Sequence, residues 1–128
     1  MFDIGKDQSF ASRGIPLGIL EVNYPAEGCD KAALHALVER ELAALRERYA
    51  DYDRKAVFGE NPYFRFFRKF KKTYPVMQQF ETVMFKSRPF PEEDPVTAVP
   101  FLLELTTFVL SGTHDIDRID GPLTIFTP

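Results

Sequence analysis

A chain of 128 residues, 45% apolar, 14% aromatic and 27% charged, carries one domain's worth of ordinary globular sequence, so wholesale disorder is excluded and a single domain over residues 1–128 is expected. Thirteen Phe without any Trp point to an aromatic-filled core rather than a base-stacking surface. The net charge of −3 hides a segregation: Arg54 to Arg88 holds nine Lys/Arg against Glu60 and Glu81, a local balance of +7, which leaves the remainder at −10. An acidic average therefore still allows a basic face toward an anionic partner, because steering depends on local potential.

The lone Cys29 makes no internal disulfide, and the opening Met1-Phe2-Asp3-Ile4-Gly5-Lys6 lacks the apolar core of a signal peptide, so a cytoplasmic location is expected. The longest apolar run, Val99 to Leu110, is broken by Pro100, Glu104, Thr106 and Thr107 and is too short for a bilayer, so no membrane partner is expected.

In chain order, residues 1–14 show neither helical nor strand period and read as a loosely held arm. Leu17–Val22, between Gly/Pro and Asn23-Tyr24-Pro25, reads as a largely buried strand. Asp30 caps a helix whose apolar positions Leu34, Leu37, Val38, Leu42, Leu45 and Tyr49 recur at three and four. Within it His35 has no Cys, Asp or second His at ligand spacing and is read as a surface or boundary histidine, not a metal ligand. Residues 50–60 read as a polar, Gly-containing connection. Asn61-Pro62 then starts a second helix, YFRFFRKFKK. On a helical wheel Tyr63, Phe66, Phe67 and Phe70 fall together, opposite a stripe of Arg65, Arg68, Lys69 and Lys72. That stripe is either a solvated charged face or a surface for an anion, whose presence would relieve the mutual repulsion of stacked cations.

Tyr74-Pro75 ends this helix, and Val76–Lys86 forms a third with Val76, Phe80, Val83 and Met84 inward. After Arg88-Pro89-Phe90-Pro91, the carboxylates of Glu92, Glu93 and Asp94 front a fourth helix, Val96–Leu110, where they suit its positive end. This helix is apolar on nearly every side and is expected to be buried. The turn from His114 to Gly121 lacks the register of a calcium loop, since Ile119 holds the fifth position and no Glu closes it. Asp115 is expected to cap a single helical turn there, and Leu123–Phe126 to form a final strand.

The stretch from Tyr74 to Ile125 resembles the tRNA-binding and editing domain, the B-three/B-four domain, of the phenylalanyl-tRNA synthetase beta subunit, and in particular the free-standing proteins built on it. The matching positions are Pro75, Lys86, Arg88, Pro89, Pro91, Pro95, Asp115, Ile116, Asp117, Arg118, Ile119 and Gly121, with a weaker match back to Leu17–Val22. The resemblance implies a layered α+β fold, of which this chain would carry the N-terminal portion, and a tRNA or aminoacyl-tRNA partner. In the synthetase it also implies hydrolysis of mischarged tRNA. No editing residue is carried over, because Ala98, Phe101 and Gly112 stand where the family has polar groups. The family's domain continues past the position of Phe126, so a homodimer or a further C-terminal segment is expected to cover the strand edges and the fourth helix.

Two functions follow. One is binding of tRNA or aminoacyl-tRNA through Arg65, Arg68, Lys69, Lys72, Lys86 and Arg88, with any catalysis being deacylation in trans, and no cofactor or metal. The other is a non-catalytic structural or protein-interaction module that retains only the fold. A small-molecule hydrolase has no support, since Ser111, His114 and Asp115 crowd into five residues without a nucleophile-elbow context.

Overall fold

The computed structural model describes all residues except 1, 2, 15, 87 and 128; the first two, part of the expected N-terminal arm, lie outside the described residues. Among the described residues the secondary structure is mixed: helices and one two-stranded parallel sheet. The chain divides into two compact units, Gly28–Gly112 and a smaller one formed by Met1–Glu27 with Thr113–Pro128.

The larger unit is helical. Asp30 accepts hydrogen bonds from the amides of Ala32 and Ala33, both at 3.0 Å, and so satisfies two of the orphan donors that open α2 (Lys31–Arg48). As the spacing predicts, Leu34, Val38, Leu42 and Leu45 are buried. Where the sequence reads as a polar connection there is a further helix, α3 (Arg54–Phe58), started by Asp53 Oδ1 on the Ala56 amide at 2.7 Å. Its last residue, Phe58, is fully buried and has its ring centroid 4.6 Å from Phe108, 6.1 Å from Phe80 and 6.3 Å from Tyr74. A helix of five residues shows no period, which is why the sequence hides it.

Helices α4 (Pro62–Lys69), α5 (Pro75–Phe85) and α6 (Pro95–Thr107) each begin on a proline at the first helical position, where the missing amide costs nothing. On α5 Val76, Met77, Phe80 and Val83 are buried. Of the three carboxylates before α6 one acts as the cap: Asp94 accepts from the Val96 amide at 3.0 Å. Glu92 instead meets His35 Nδ1 at 3.0 Å, fastening the segment before α6 to the start of α2. The His35 pKa is raised by the hydrogen bond and charge of Glu92.

The expectation that the fourth helix is buried all round is corrected. Ala98, Leu102, Glu104 and Leu105 of α6 are buried, while Val96, Val99 and Leu103 are exposed, so one side packs and the other does not. The helix also stops three residues early. Phe108 adopts φ 55°, ψ 29°, and this left-handed residue ends the run after Thr107. Glu104 then accepts from the Ser111 amide at 2.8 Å and hydroxyl at 2.9 Å, which accounts for a buried carboxylate inside an apolar run.

A second polar cluster ties α3 to α5. Arg54 donates to both oxygens of Glu81, at 2.6 and 2.7 Å, and Tyr52 donates its hydroxyl to Glu81 Oε1 at 2.7 Å. The Arg54 hydrogen bond holds the Glu81 carboxyl below its ordinary pKa, against burial, which acts the other way. A carboxyl whose folded pKa is lowered adds stability above its unfolded pKa and loses it as pH falls through the folded value. Glu81→Gln is therefore expected to cost on the order of 1–2 kcal/mol at neutral pH. The gap to wild type should close as urea midpoints are followed downward through and below the ordinary glutamate range, and a gap that stays constant would show that the charge of Glu81 contributes nothing.

In the smaller unit β1 (Ile4–Lys6) and β2 (Leu123–Ile125) pair in parallel with Ile4 opposite Leu123 and Lys6 opposite Ile125. The described part of the arm is thus not loose. It supplies a strand and then α1 (Gln8–Ala11), capped by Asp7 on the Ser9 amide at 2.8 Å. Thr127 closes the pairing by donating twice to Ser9, its amide to the hydroxyl and its own hydroxyl to the carbonyl, both at 3.0 Å. Asp115 caps the single turn Ile116–Arg118 as expected, and Gly121 supplies the positive φ, 82°, that leads into β2.

Leu17–Val22 is not a strand. The segment has no regular structure, and Leu17, Ile19, Leu20 and Val22 are exposed, Leu20 at 80%. An apolar run becomes a strand only when another strand accepts its ladder. Among the described residues the sheet holds β1 and β2 alone.

Candidate nucleic-acid interface

Asn61 sets the position of α4 from both ends of its amide. Its Oδ1 accepts from the Phe64 amide at 3.1 Å, and its Nδ2 donates to the Phe108 carbonyl at 3.4 Å. The inner side of the helix is Tyr63, Phe64 and Phe67. Tyr63 stacks on Tyr74 at 5.7 Å with the rings 9° from parallel, Phe67 lies 5.7 Å from Tyr74, and Phe64 lies 6.5 Å from Phe58. Burial of Tyr74 pushes its phenol pKa up, which keeps the proton on the hydroxyl that donates to the Phe108 carbonyl at 2.8 Å.

The end of α4 differs from the sequence expectation. Lys71 takes φ 55°, its amide reaches the Arg68 carbonyl at 3.0 Å, and the Lys72 amide reaches the Phe67 carbonyl at 3.1 Å. This is the two-bond Schellman closure, with Lys at the left-handed position where Gly is the usual occupant. A side chain there costs roughly 1–2 kcal/mol. Lys72 consequently lies beyond the helix, and the four-cation stripe is corrected to Arg65, Arg68 and Lys69 on α4, with Lys71 and Lys72 in the turn that follows.

The expected aromatic side is corrected too. Phe66 and Phe70 do not join Tyr63 and Phe67 in the core: they are 55% and 60% exposed and touch each other at 5.1 Å. With the inner side centred on Tyr63, Phe64 and Phe67, the 100° step places Phe66 and Phe70 on the flank next to Lys69. The missed signal is Phe64, whose inward packing rotates the inner side by roughly half a residue step.

The cations differ in how they are engaged. Arg65 pairs with Glu60 at 2.6 Å and donates to the Gly59 carbonyl at 3.2 Å, so part of its charge is already met. Arg68 lies over the Phe64 ring at 5.6 Å. Lys69, Lys71 and Lys72 are exposed.

Lys86 is the C-cap of α5, and Arg88 follows in the Pro89-Phe90-Pro91 joint; both are exposed. Arg88 lines a solvent-open cavity of about 230 Å³ with Gln78, Gln79, Thr82, Val83, Pro89, Pro91 and Phe101. Among the described residues no hydrogen bond, ion pair or ring contact links Lys86 or Arg88 to α4. The cations thus fall into two groups, one on α4 and its closing turn and the other after α5.

Comparison with known protein families, curated proteins and solved structures finds no match to this chain. What bears on its chemistry is the geometry just described. Among the described residues no three His, Cys, Asp or Glu side chains are grouped as metal ligands, and no helix is long and apolar enough to cross a membrane. Ala98 is fully buried, and Phe101 packs on Phe90 at 5.2 Å. Neither side chain offers a hydrogen bond that could hold an ester or a water.

Proposed function

We propose that this chain binds tRNA or aminoacyl-tRNA as a free-standing module similar to the editing domain of the phenylalanyl-tRNA synthetase beta subunit, with α4 and its closing turn as the contact surface. The observation that carries the reading is the run Arg65, Arg68, Lys69, Lys71 and Lys72, displayed around exposed Phe66 and Phe70. Five cations within eight positions of an otherwise acidic chain favour a polyanion, and the packed inner side of α4 holds them on a fixed support. Lys86 and Arg88 form a second contact in this reading. The proposal is for binding without ester hydrolysis, since Ala98 and Phe101 lack the polar atoms that chemistry would need.

Binding to unfractionated tRNA is expected to weaken linearly in log K against log salt, and each cation removed should lower that slope by roughly 0.7–0.9. The variant carrying Arg65→Ala, Arg68→Ala, Lys69→Ala and Lys72→Ala should lose most of the affinity at low salt. Undiminished tRNA affinity in that variant would remove the basis of the assignment. The second reading, a protein-interaction module, draws on the exposed Val96, Val99 and Leu103 of α6; it would be favoured by absence of tRNA binding together with a concentration-dependent mass in light scattering.

A further inference from the structure

We infer that Phe66 and Phe70 form a stacking platform for unpaired bases, so that the RNA surface of α4 takes a single-stranded segment rather than a duplex. The inference rests on the proposed RNA reading and specifies its substrate class.

The two rings sit one helical turn apart, at positions i and i+4, with centroids 5.1 Å apart and planes at 58°. Neither contributes to the core, whose aromatic members on α4 are Tyr63, Phe64 and Phe67. Phe66 also meets the edge of Phe67 at 6.0 Å and 79°, so a ring packed on the core supports it from below. Phe70 is the C-cap, held by its amide on the Phe67 carbonyl at 3.1 Å, and the left-handed Lys71 turns the chain away immediately after it. The platform is therefore anchored although its faces are in water.

Its size and its border select the occupant. Rings of this kind present about 200 Å² each, so two half-exposed rings offer about 200 Å² together. A stable protein partner needs about 800 Å² per side. A second copy of this chain docking here alone is thus excluded by area. A lipid surface is disfavoured because the broad apolar side of α4 is already spent on the core. Lys69 lies next to the rings on the helix, Arg65 one step further, and Lys71 and Lys72 directly follow Phe70. Every base has a π-face, and each base is followed by a phosphate, so alternating rings and cations match an unstacked strand. A duplex offers the same phosphates with its base faces buried in the stack, and would leave both rings unused.

The test compares a fluorescently labelled 12-nucleotide single-stranded RNA, a blunt RNA duplex of the same length, and the same single strand made abasic at its central positions. The proteins are wild type, Phe66→Ala, Phe70→Ala, Phe66→Leu and Lys69→Ala. Each Phe→Ala change should weaken single-strand binding roughly 5- to 100-fold. It should leave the salt slope unchanged, because no phosphate contact is removed. Phe66→Leu keeps the apolar bulk and loses the π-face, and should also weaken binding; melting of all variants should match wild type, since the rings are outside the core. Abasic RNA should bind wild type no better than it binds Phe66→Ala.

Equal affinity for duplex and single strand, with only Lys69→Ala weakening them, would overturn the platform and leave the RNA reading intact. No binding to any RNA would overturn both. Full activity of Phe66→Leu, or loss on Phe→Ala confined to vesicles of phosphatidylcholine and phosphatidylglycerol, would show a plain apolar contact and also overturn it.

Discussion

Replacing Phe58 with Ala is expected to destabilise the larger unit by about 3–5 kcal/mol, a large fraction of the stability of roughly 5–15 kcal/mol typical of a domain. Phe58 has no exposed surface, and its ring lies 4.6 Å from Phe108, 6.1 Å from Phe80, 6.3 Å from Tyr74 and 6.5 Å from Phe64. These neighbours come from α4, from α5 and its N-cap, and from the residue that closes α6, so the side chain is the point where the elements meet. Removing it leaves a void that no single helix can close, because each surrounding ring is held by a further partner: Tyr49 on Phe80 at 5.1 Å, and Tyr63 stacked on Tyr74. The loss should appear in urea denaturation as a lowered midpoint with an unchanged slope. Phe58→Leu, which restores most of the volume, should recover a large share. A cost below about 1 kcal/mol for Phe58→Ala would place the centre of the unit elsewhere, since that is the range of surface substitutions.

What was legible in the sequence follows from how local each interaction is. Asp30, Asn61 and Asp115 were readable as caps because each side chain bonds an amide two or three residues on, and nothing distant decides that geometry. Helix α2 was readable because eighteen residues display their period several times over. Leu17–Val22 was misread because a strand depends on a partner elsewhere in the chain, and β2 pairs with the arm instead. The arm itself was missed for the same reason: three residues, Ile4 to Lys6, carry no pattern. At the candidate site the residue types were legible but their facing was not. Treating 63–72 as one helix made Lys72 part of the stripe, whereas the turn at Lys71 removes it. That turn has no glycine to announce it. Folding therefore pays here for a left-handed lysine, and sequence rules that look for Gly as the stop signal pass over it.

The second large effect is expected at Phe108, another left-handed residue that is not glycine, and here two substitutions separate the ring from the backbone. The partly buried ring lies among Phe58, Phe80 and Tyr49, at 4.6, 5.1 and 5.7 Å, so Phe108→Ala should cost about 2–3 kcal/mol. Ala also keeps the strain of φ 55°, roughly 1–2 kcal/mol for any residue with a Cβ. Phe108→Gly loses the same ring and escapes that strain. Gly should therefore be the milder change by about 1 kcal/mol, the reverse of the usual order within a helix, where Ala is favoured over Gly by a similar amount. Both variants retain the carbonyl that accepts from Tyr74 at 2.8 Å and from Asn61 at 3.4 Å. Those two residues start α5 and α4, so the carbonyl, more than the ring, sets where the cations and outer rings of α4 stand. A Phe108→Gly protein that stays folded should accordingly bind tRNA with the wild-type salt slope, despite its lower melting temperature. Equal stability of the Ala and Gly variants would show that the left-handed backbone is relaxed once the ring is gone, and that the ring itself forces the turn that ends α6.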